Sequence, residues 1–220
     1  MKAMILAAGR GERLRPLTDR IPKVLAPVAG EPLVAHQLRW LAGIGIHEVV
    51  INLHHLGRQV VDALGDGSAH GVEISYSLEP ERLETGGGIV KALPLLGDEP
   101  FVLLNGDIYT DFPLAELPPA LAPDAVAHLV LTPRPLFRAH GDFEAADGRI
   151  TRRGDTYVYC GIALLDPMAL RGRKAEPFSL REVYFEALAR RALTAQVWGG
   201  FWTDIGTLQQ LEDVNARHHS

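Results

Sequence analysis

The cations Arg10, Arg13, Arg15 and Lys23 follow the apolar run Ala3–Ala8 and share their stretch with Gly9 and Gly11. Arginine and lysine bring charge and donors matched to phosphate oxygens. Glycine lets a backbone approach a ligand with its amide N–H groups uncovered. The combination points to a polyphosphate site at the carboxyl end of a first, buried strand. Neither familiar glycine motif accounts for it. The run Gly-x-x-x-x-Gly-Lys-Ser/Thr is absent, and the last glycine of a Gly-x-Gly-x-x-Gly fingerprint would fall on Leu14.

Two acidic positions stand out further along. Asn105-Gly106-Asp107 closes the nearly all-apolar run Phe101–Asn105. A half-buried carboxylate there suits Mg2+, a hard cation that takes oxygen ligands. A plain turn is the alternative, because Asn-Gly and Gly-Asp are both turn pairs. Asp204 lies just before Thr207, which by itself reads as a helix N-cap. Leu83-Glu84-Thr85-Gly86-Gly87-Gly88 opens a helical stretch with a run of glycines. Each costs about 1 kcal/mol against alanine in a helix interior, so the run implies close backbone approach to a flat ligand, or a tight turn. His54-His55 and His218-His219 have no ligand spacing and read as a loop pair and a solvated tail. Cys160 reads as a small buried residue rather than a nucleophile.

The elements that must hold these residues alternate in type. Periodicity predicts helices over Pro32–Gly43, Gly57–Leu64, Leu180–Arg191 and Thr207–Ala216. A further helix, Gly86–Leu93, is expected to be capped by Thr85 and stopped by Pro94. Strands are predicted over Glu48–Asn52, Val72–Ser77, Phe101–Asn105, Ala125–Leu131 and Val197–Asp204. The stretch Gly141–Leu165, with its Asp147-Gly148 turn, reads as antiparallel hairpins. The expected fold class is α/β: a Rossmann-like, doubly wound, mostly parallel sheet with helices on both faces and a small antiparallel β insertion. One domain over 1–220 is expected, with a nucleotide half (1–117) and a sugar half (118–220) meeting near Pro118-Pro119. Ligands of such sheets sit at the carboxyl ends of the strands, which places Gly9–Arg13, Asn105–Asp107 and the loop before Thr85 on one rim.

Composition narrows the class. A net charge of −5 argues against a general nucleic-acid or membrane binder, though a local basic cleft is compatible with it. One cysteine leaves no internal disulfide and no cysteine-built zinc site. The N-terminal apolar run is too short for a signal peptide, and no run reaches the roughly 20 residues of a membrane span. A cytoplasmic location is expected, as monomer or homodimer.

The stretch Leu6-Ala7-Ala8-Gly9-x-Gly11-x-Arg13-Leu14-x-Pro16-Leu17-Thr18, continued by Pro22-Lys23-x-Leu25-x-Pro27-Val28-x-Gly30-x-Pro32, resembles the signature of the sugar-phosphate nucleotidyltransferases at every fixed position. The resemblance implies that a sugar 1-phosphate attacks the α-phosphorus of a nucleoside triphosphate and expels pyrophosphate. It needs no protein base, since a phosphate monoester with a second pKa near 6 is mostly dianionic at neutral pH. It implies catalytic roles for Arg13, Lys23 and Asp107, with Arg13 toward the leaving pyrophosphate. It implies nucleotide contacts from Leu6, Ala8, Gly9, Gly11, Glu12, Arg13, Lys23, Glu79, Thr85, Gly86, Gly87 and Asn105. Asp107 and Asp204, the latter in a Trp-x-Asp-x-Gly-Thr segment, would bind Mg2+. Asp107, Gly141, Asp142 and Gly161 would meet the sugar, with Gly161 as a simple strand glycine the alternative. Three departures stand out. Glu84 replaces a usual glycine, Glu79 stands where some uridylyltransferases have glutamine, and Thr151–Gly154 replaces a common Glu-Lys pair. Within the family the chain is similar to compact forms that join UTP to N-acetylmuramate 1-phosphate in cell-wall recycling, without an acetyltransferase repeat. The alternatives are a guanylyltransferase for mannose or heptose 1-phosphate and a non-catalytic nucleotide-sugar sensor. A sensor would not need Arg13, Lys23, Asp107 and Asp204 together.

Overall fold

A computed structural model describes residues 1–218; His219 lies outside the described residues. The strands are β1 (Ala3–Leu6), β2 (Pro27–Val28), β3 (Glu31–Pro32), β4 (Glu48–Leu53), β5 (Glu73–Leu78), β6 (Phe101–Asn105) and β7 (Ile108–Thr110), then β8 (Ala127–Pro133), β9 (Phe143–Ala146), β10 (Arg149–Arg153), β11 (Tyr157–Leu165), β12 (Leu193–Val197) and β13 (Trp202–Asp204). The helices are α1 (Leu33–Gly43), α2 (Gly57–Leu64), α3 (Glu84–Leu96), α4 (Leu180–Ala189) and α5 (Leu208–Arg217).

One sheet of nine strands, in the order β5-β4-β1-β6-β11-β8-β12-β10-β9, carries the molecule. Its first half is parallel: β1 lies between β4 and β6 with Leu6 opposite both Asn52 and Asn105. The sheet turns antiparallel at β11, which pairs with β6 on one side and β8 on the other. The α/β expectation therefore holds, with the sheet mixed. The antiparallel hairpin β9–β10 joins the edge of the same sheet through β12.

Side chains of a strand alternate between faces, and β1 shows why this sheet needs cover on both. Ala3 and Ile5 join one core with Val34, Leu38 and Leu41 of α1 and with Val60 and Leu64 of α2. Met4 faces the other, with Ile89 and Ala92 of α3 and Val183 and Tyr184 of α4. A third, smaller cluster sets Leu14 against Ala26, Val28, Leu33 and Ile205, with Leu211 and Val214 of α5. This cluster pins the basic N-terminal loop to the C-terminal helix.

Local signals explain most boundaries. Ser179 and Glu182 form a capping box at the start of α4. Thr207 caps α5 by accepting from the Gln210 N–H, as its type suggests. Three expectations are corrected. Thr85 is no cap: α3 begins at Glu84, and the Thr85 hydroxyl instead accepts from the Leu180 N–H at 2.8 Å. The helix also runs through Pro94 to Leu96, because the proline falls in its last turn. The aromatic stretch Val197–Asp204 is not one strand. Gly199-Gly200 separates the end of β12 from β13, which pairs with β7 in a sheet of its own. No helix among the described residues is long and apolar enough to cross a membrane.

Candidate functional site

The carboxyl ends of β1 and β6 open a cleft of about 360 Å³. Leu6, Ala8, Gly9, Gly11, Lys23, Thr85, Asn105 and Asp107 line it, joined by Asn52, Arg82, Glu84 and Ser179. Sequence positions from Leu6 to Ser179 are thus gathered at one rim. Gly11 has φ +62°, and a Cβ there would lie 2.8 Å from Thr18 Cγ2 and 3.2 Å from Lys23 Cβ. Only glycine fits that bend. The Thr18 hydroxyl donates to the Gly11 carbonyl at 2.7 Å and locks the loop. Gly9 has open space around it.

At the base of the cleft Lys23 Nζ lies 2.6 Å from Asp107 Oδ2. The Asp107 turn is braced from below. Gly106 N–H donates to the Leu6 carbonyl at 2.9 Å. Buried Gln37 spans the turn, its Nε2 donating to the carbonyls of Asn105 (2.9 Å) and Ile108 (3.1 Å). A Cβ on Gly106 would meet Leu6 O at 2.6 Å, so this turn too has no room for a side chain.

Asp204, at the end of β13, does not line the Lys23 cleft but the neighbouring cavity that holds Arg138 and Gln210. Ile205 N–H donates to the Asp107 carbonyl at 2.7 Å, so the two acids stand on adjacent chain segments. The Asp204 side chain is 11 % exposed and fully engaged. Its Oδ2 accepts from Arg138 Nη2 at 2.7 Å and its Oδ1 from Gln210 Nε2 at 3.1 Å. Gln210 Oε1 in turn accepts from the Gly206 N–H at 3.0 Å. Arg138 comes from the irregular segment between β8 and β9, lies 5.8 Å from the Trp202 ring centre, and keeps a buried Nε without a partner.

Arg13 does not line the Lys23 cleft. It borders an adjoining groove with Gly9, Arg10, Gly11, Glu12, Lys23, Arg82 and Gly206. It also lines a second cavity with Arg138, Asp204 and Gln210. Its guanidinium rests against Gly206, where a Cβ would lie 2.8 Å from Nη2. The cationic surface therefore bends from the cleft around Gly11 toward Asp204.

The glycine run of α3 has another explanation than the sequence offered. A Cβ on Gly86 would enter the Phe178 ring (2.1 Å), one on Gly87 would strike the Glu176 carbonyl (2.1 Å), and one on Gly88 would meet Glu79 Oε1 (2.6 Å) and Asn52 Nδ2 (2.7 Å). The close approach is to protein, and neither Gly86 nor Gly87 lines the cleft. Glu79 also differs from expectation. It is 4 % exposed, with Oε1 accepting from Asn52 Nδ2 (2.6 Å) and Oε2 from the Leu83 N–H (3.1 Å). Asn52 Oδ1 accepts from the Ala7 N–H at 2.8 Å. Asn52 and Glu79 thus tie the glycine turn after β1 to the loop before α3.

Of the residues expected to meet a sugar, Asp142 accepts from the Tyr159 N–H at 3.1 Å and pairs with Arg181 at 3.3 Å. Gly141 fits because a Cβ would collide with the Asp155 backbone at 2.6 Å. Gly161 is more than a strand glycine: its φ is +75°, and it sits in the register shift of β11 with the Asn105 side chain against it. None of the three lines the cleft itself. Burial pushes the Tyr159 and Tyr184 phenols and the Cys160 thiol up, so none of them ionises near neutral pH. His218 is exposed, as a tail residue would be, and its ring nitrogen lies 2.8 Å from the Tyr109 hydroxyl. Gln37, Asn52, Arg138 and Gln210 went unnoticed in the sequence. Lone amides carry no local signal, and Arg138 lies far along the chain from the acid it holds.

A glycine turn with a lysine, a nearby acid and an adjoining arginine groove offers donors and charge suited to a polyphosphate, and comparison with known proteins shows the family. The nucleotidyl transferase family model matches residues 2–135. An N-acetylmuramate α-1-phosphate uridylyltransferase of Neisseria meningitidis serogroup B is 44 % identical, over 98 % of this chain and 97 % of its own. Mannose-1-phosphate guanylyltransferase 1 of Arabidopsis thaliana is 33 % identical over 94 % of this chain, which spans 61 % of that longer protein. Among solved structures, HddC of Yersinia pseudotuberculosis in complex with GMP-PN superposes with a TM-score of 0.79 at 19 % identity, covering 99 % of both chains. A Bacillus anthracis protein assigned as a glucose-1-phosphate thymidylyltransferase reaches 0.86 at 23 %, covering 99 % of this chain and 94 % of its own. The chain belongs to the nucleotidyl transferase family, and its enzyme class is sugar-1-phosphate nucleotidyltransferase.

Proposed function

We propose that the chain joins UTP to N-acetylmuramate 1-phosphate, giving a UDP-sugar and pyrophosphate, within cell-wall recycling in the cytoplasm. The observation that carries the reading is the Lys23–Asp107 pair, 2.6 Å apart, beside the Gly9–Gly11 turn in one cleft. The 44 % identity to the Neisseria uridylyltransferase across nearly the full length of both chains supports the substrate.

The reaction asks the protein to bring two anions in line and to neutralise the charge they build up. Lys23 serves the phosphate under attack. Arg13, in the adjoining groove, receives the leaving pyrophosphate. The backbone around Gly9 and Gly11 offers N–H donors to the triphosphate, and Thr85 stands beside the nucleoside. Asp142 orients the acceptor with Arg181.

The donor set fits Mg2+. Asp107 and Asp204 sit on paired segments, and each is already matched to one cation, Lys23 or Arg138. No group of three or more His, Cys, Asp or Glu side chains among the described residues forms a closed cage. Mg2+ is commonly bound by one or two carboxylates together with substrate phosphates. When bound, the ion would neutralise phosphate oxygens and orient them.

Steady-state turnover with UTP, GTP, CTP and dTTP against N-acetylmuramate, mannose and heptose 1-phosphates tests the reading. UTP with N-acetylmuramate 1-phosphate should give the highest kcat/KM. Faster turnover with GTP would replace it with the guanylyltransferase reading, which the 33 % identity to the Arabidopsis enzyme favours. Nucleotide binding without pyrophosphate release from any pair would point to a sensor.

A further inference from the structure

Glu84 has φ +58°, a left-handed conformation that residues with side chains rarely adopt and glycine adopts freely. It is exposed on the wall of the cleft, between Arg82 and Thr85. The chain around it cannot relax. Gly86 N–H donates to the Phe178 carbonyl at 2.9 Å, Leu83 N–H is held by Glu79, and each of the glycines that follow is packed against protein. No ion pair or hydrogen bond links the Glu84 carboxylate to another described residue. A charged side chain kept in a disfavoured conformation at a ligand cleft is a sign of binding rather than of folding.

The chemistry of the partner follows from the carboxylate. It only accepts hydrogen bonds, and it repels phosphate. Glu84 lines the cleft next to Thr85 and is absent from the groove of Arg10 and Arg13, so the nucleoside end of the substrate is what it can meet. Uracil has one N–H donor between two carbonyl oxygens, which leaves the second carboxylate oxygen facing a like-charged atom. The ribose has two neighbouring hydroxyl donors, matched to two carboxylate oxygens, as acidic side chains at dinucleotide sites bind ribose. We propose that Glu84 is a specificity-determining residue that accepts hydrogen bonds from the ribose hydroxyls of the nucleoside triphosphate, and so selects ribonucleotides over deoxyribonucleotides. This rests on the uridylyltransferase reading.

The test compares UTP with dUTP in the wild type, Glu84→Gly and Glu84→Gln, by kcat/KM and by calorimetric binding. A charged hydrogen bond lost from the 2′-hydroxyl corresponds to roughly 10- to 100-fold discrimination. The wild type should prefer UTP by about that factor, and Glu84→Gly should bring the ratio within about threefold while its Tm rises. A purely structural Glu84 would raise or lower Tm without moving the UTP/dUTP ratio. Equal use of UTP and dUTP by the wild type, or a preference that survives Glu84→Gly, overturns the proposal and leaves the uridylyl reading intact. If GTP is the preferred nucleotide and Glu84→Gly instead erases a preference for GTP over ITP, which lacks the guanine amino group, the carboxylate reads the base edge. Both the ribose assignment and the uridylyl reading then fall. Binding by calorimetry gives the same ratios even for a chain that shows no turnover.

Discussion

Arg138 and a divalent cation compete for one carboxylate, so removing Arg138 should strengthen metal binding by the free chain. The guanidinium donates to Asp204 Oδ2 at 2.7 Å. Charge centres about 4 Å apart interact by about 4 kcal/mol at an effective dielectric of 20. Arg138 is 37 % exposed at its side chain, and solvent reduces that figure to about 1–2 kcal/mol. Arg138→Ala should therefore tighten Mn2+ binding about 5- to 30-fold. Gln210 Nε2 still holds Asp204 Oδ1 in the variant, so the carboxylate keeps its place. Titration of the substrate-free chain with Mn2+, followed by paramagnetic resonance of the unbound ion, reads the affinity without turnover. The double variant with Asp204→Asn should lose the gain. Affinity that is unchanged or weaker in Arg138→Ala, or a gain that persists without Asp204, would refute the competition.

Further outcomes follow from the same geometry. Asp107→Ala and Asp204→Ala should each lose most turnover while near-ultraviolet circular dichroism stays native; a fully active Asp204→Ala enzyme would remove that acid from the site. Gly86→Ala should cost about 1–3 kcal/mol in urea unfolding because its Cβ would enter the Phe178 ring, whereas Gly9→Ala, with open space, should fold with native stability. Burial lowers the pKa of His128 from its ordinary 6.5, so below that pH the unfolded chain binds the proton that the folded chain refuses. Stability should fall as pH drops through 6.5, and His128→Gln should flatten that part of the profile. A steeper loss in the variant than in the wild type would contradict it.

Much of this fold was legible because the strands signal themselves. Phe101–Asn105 is apolar and bounded by a turn, and its limits match β6. Gly57–Leu64 matches α2. The sequence was less informative where tertiary contacts set the outcome. Thr85 looked like a cap by type, but its hydroxyl is used by Leu180 N–H across the molecule. The Gly86–Gly88 run signalled a close approach correctly, and only the fold shows that Phe178, Glu176 and Glu79 are what approaches. The cleft positions of Gly11, Lys23 and Asp107 were readable from residue type and spacing. The supports were not. Gln37 bonds two carbonyls of a turn more than sixty residues away in sequence. Arg138 is one unremarked arginine until β13 brings Asp204 to it.

The most direct measurement is the position of bound nucleotide and metal in a crystal of the chain grown with UTP and Mn2+. The expected result is the triphosphate in the Leu6–Asp107 cleft, its α-phosphate beside Lys23, and the ion held by Asp107 and Asp204 with Arg138 displaced. A nucleotide base seated in the second cavity, beside Arg138 and Gln210, or an ion that touches neither acid, would contradict the site.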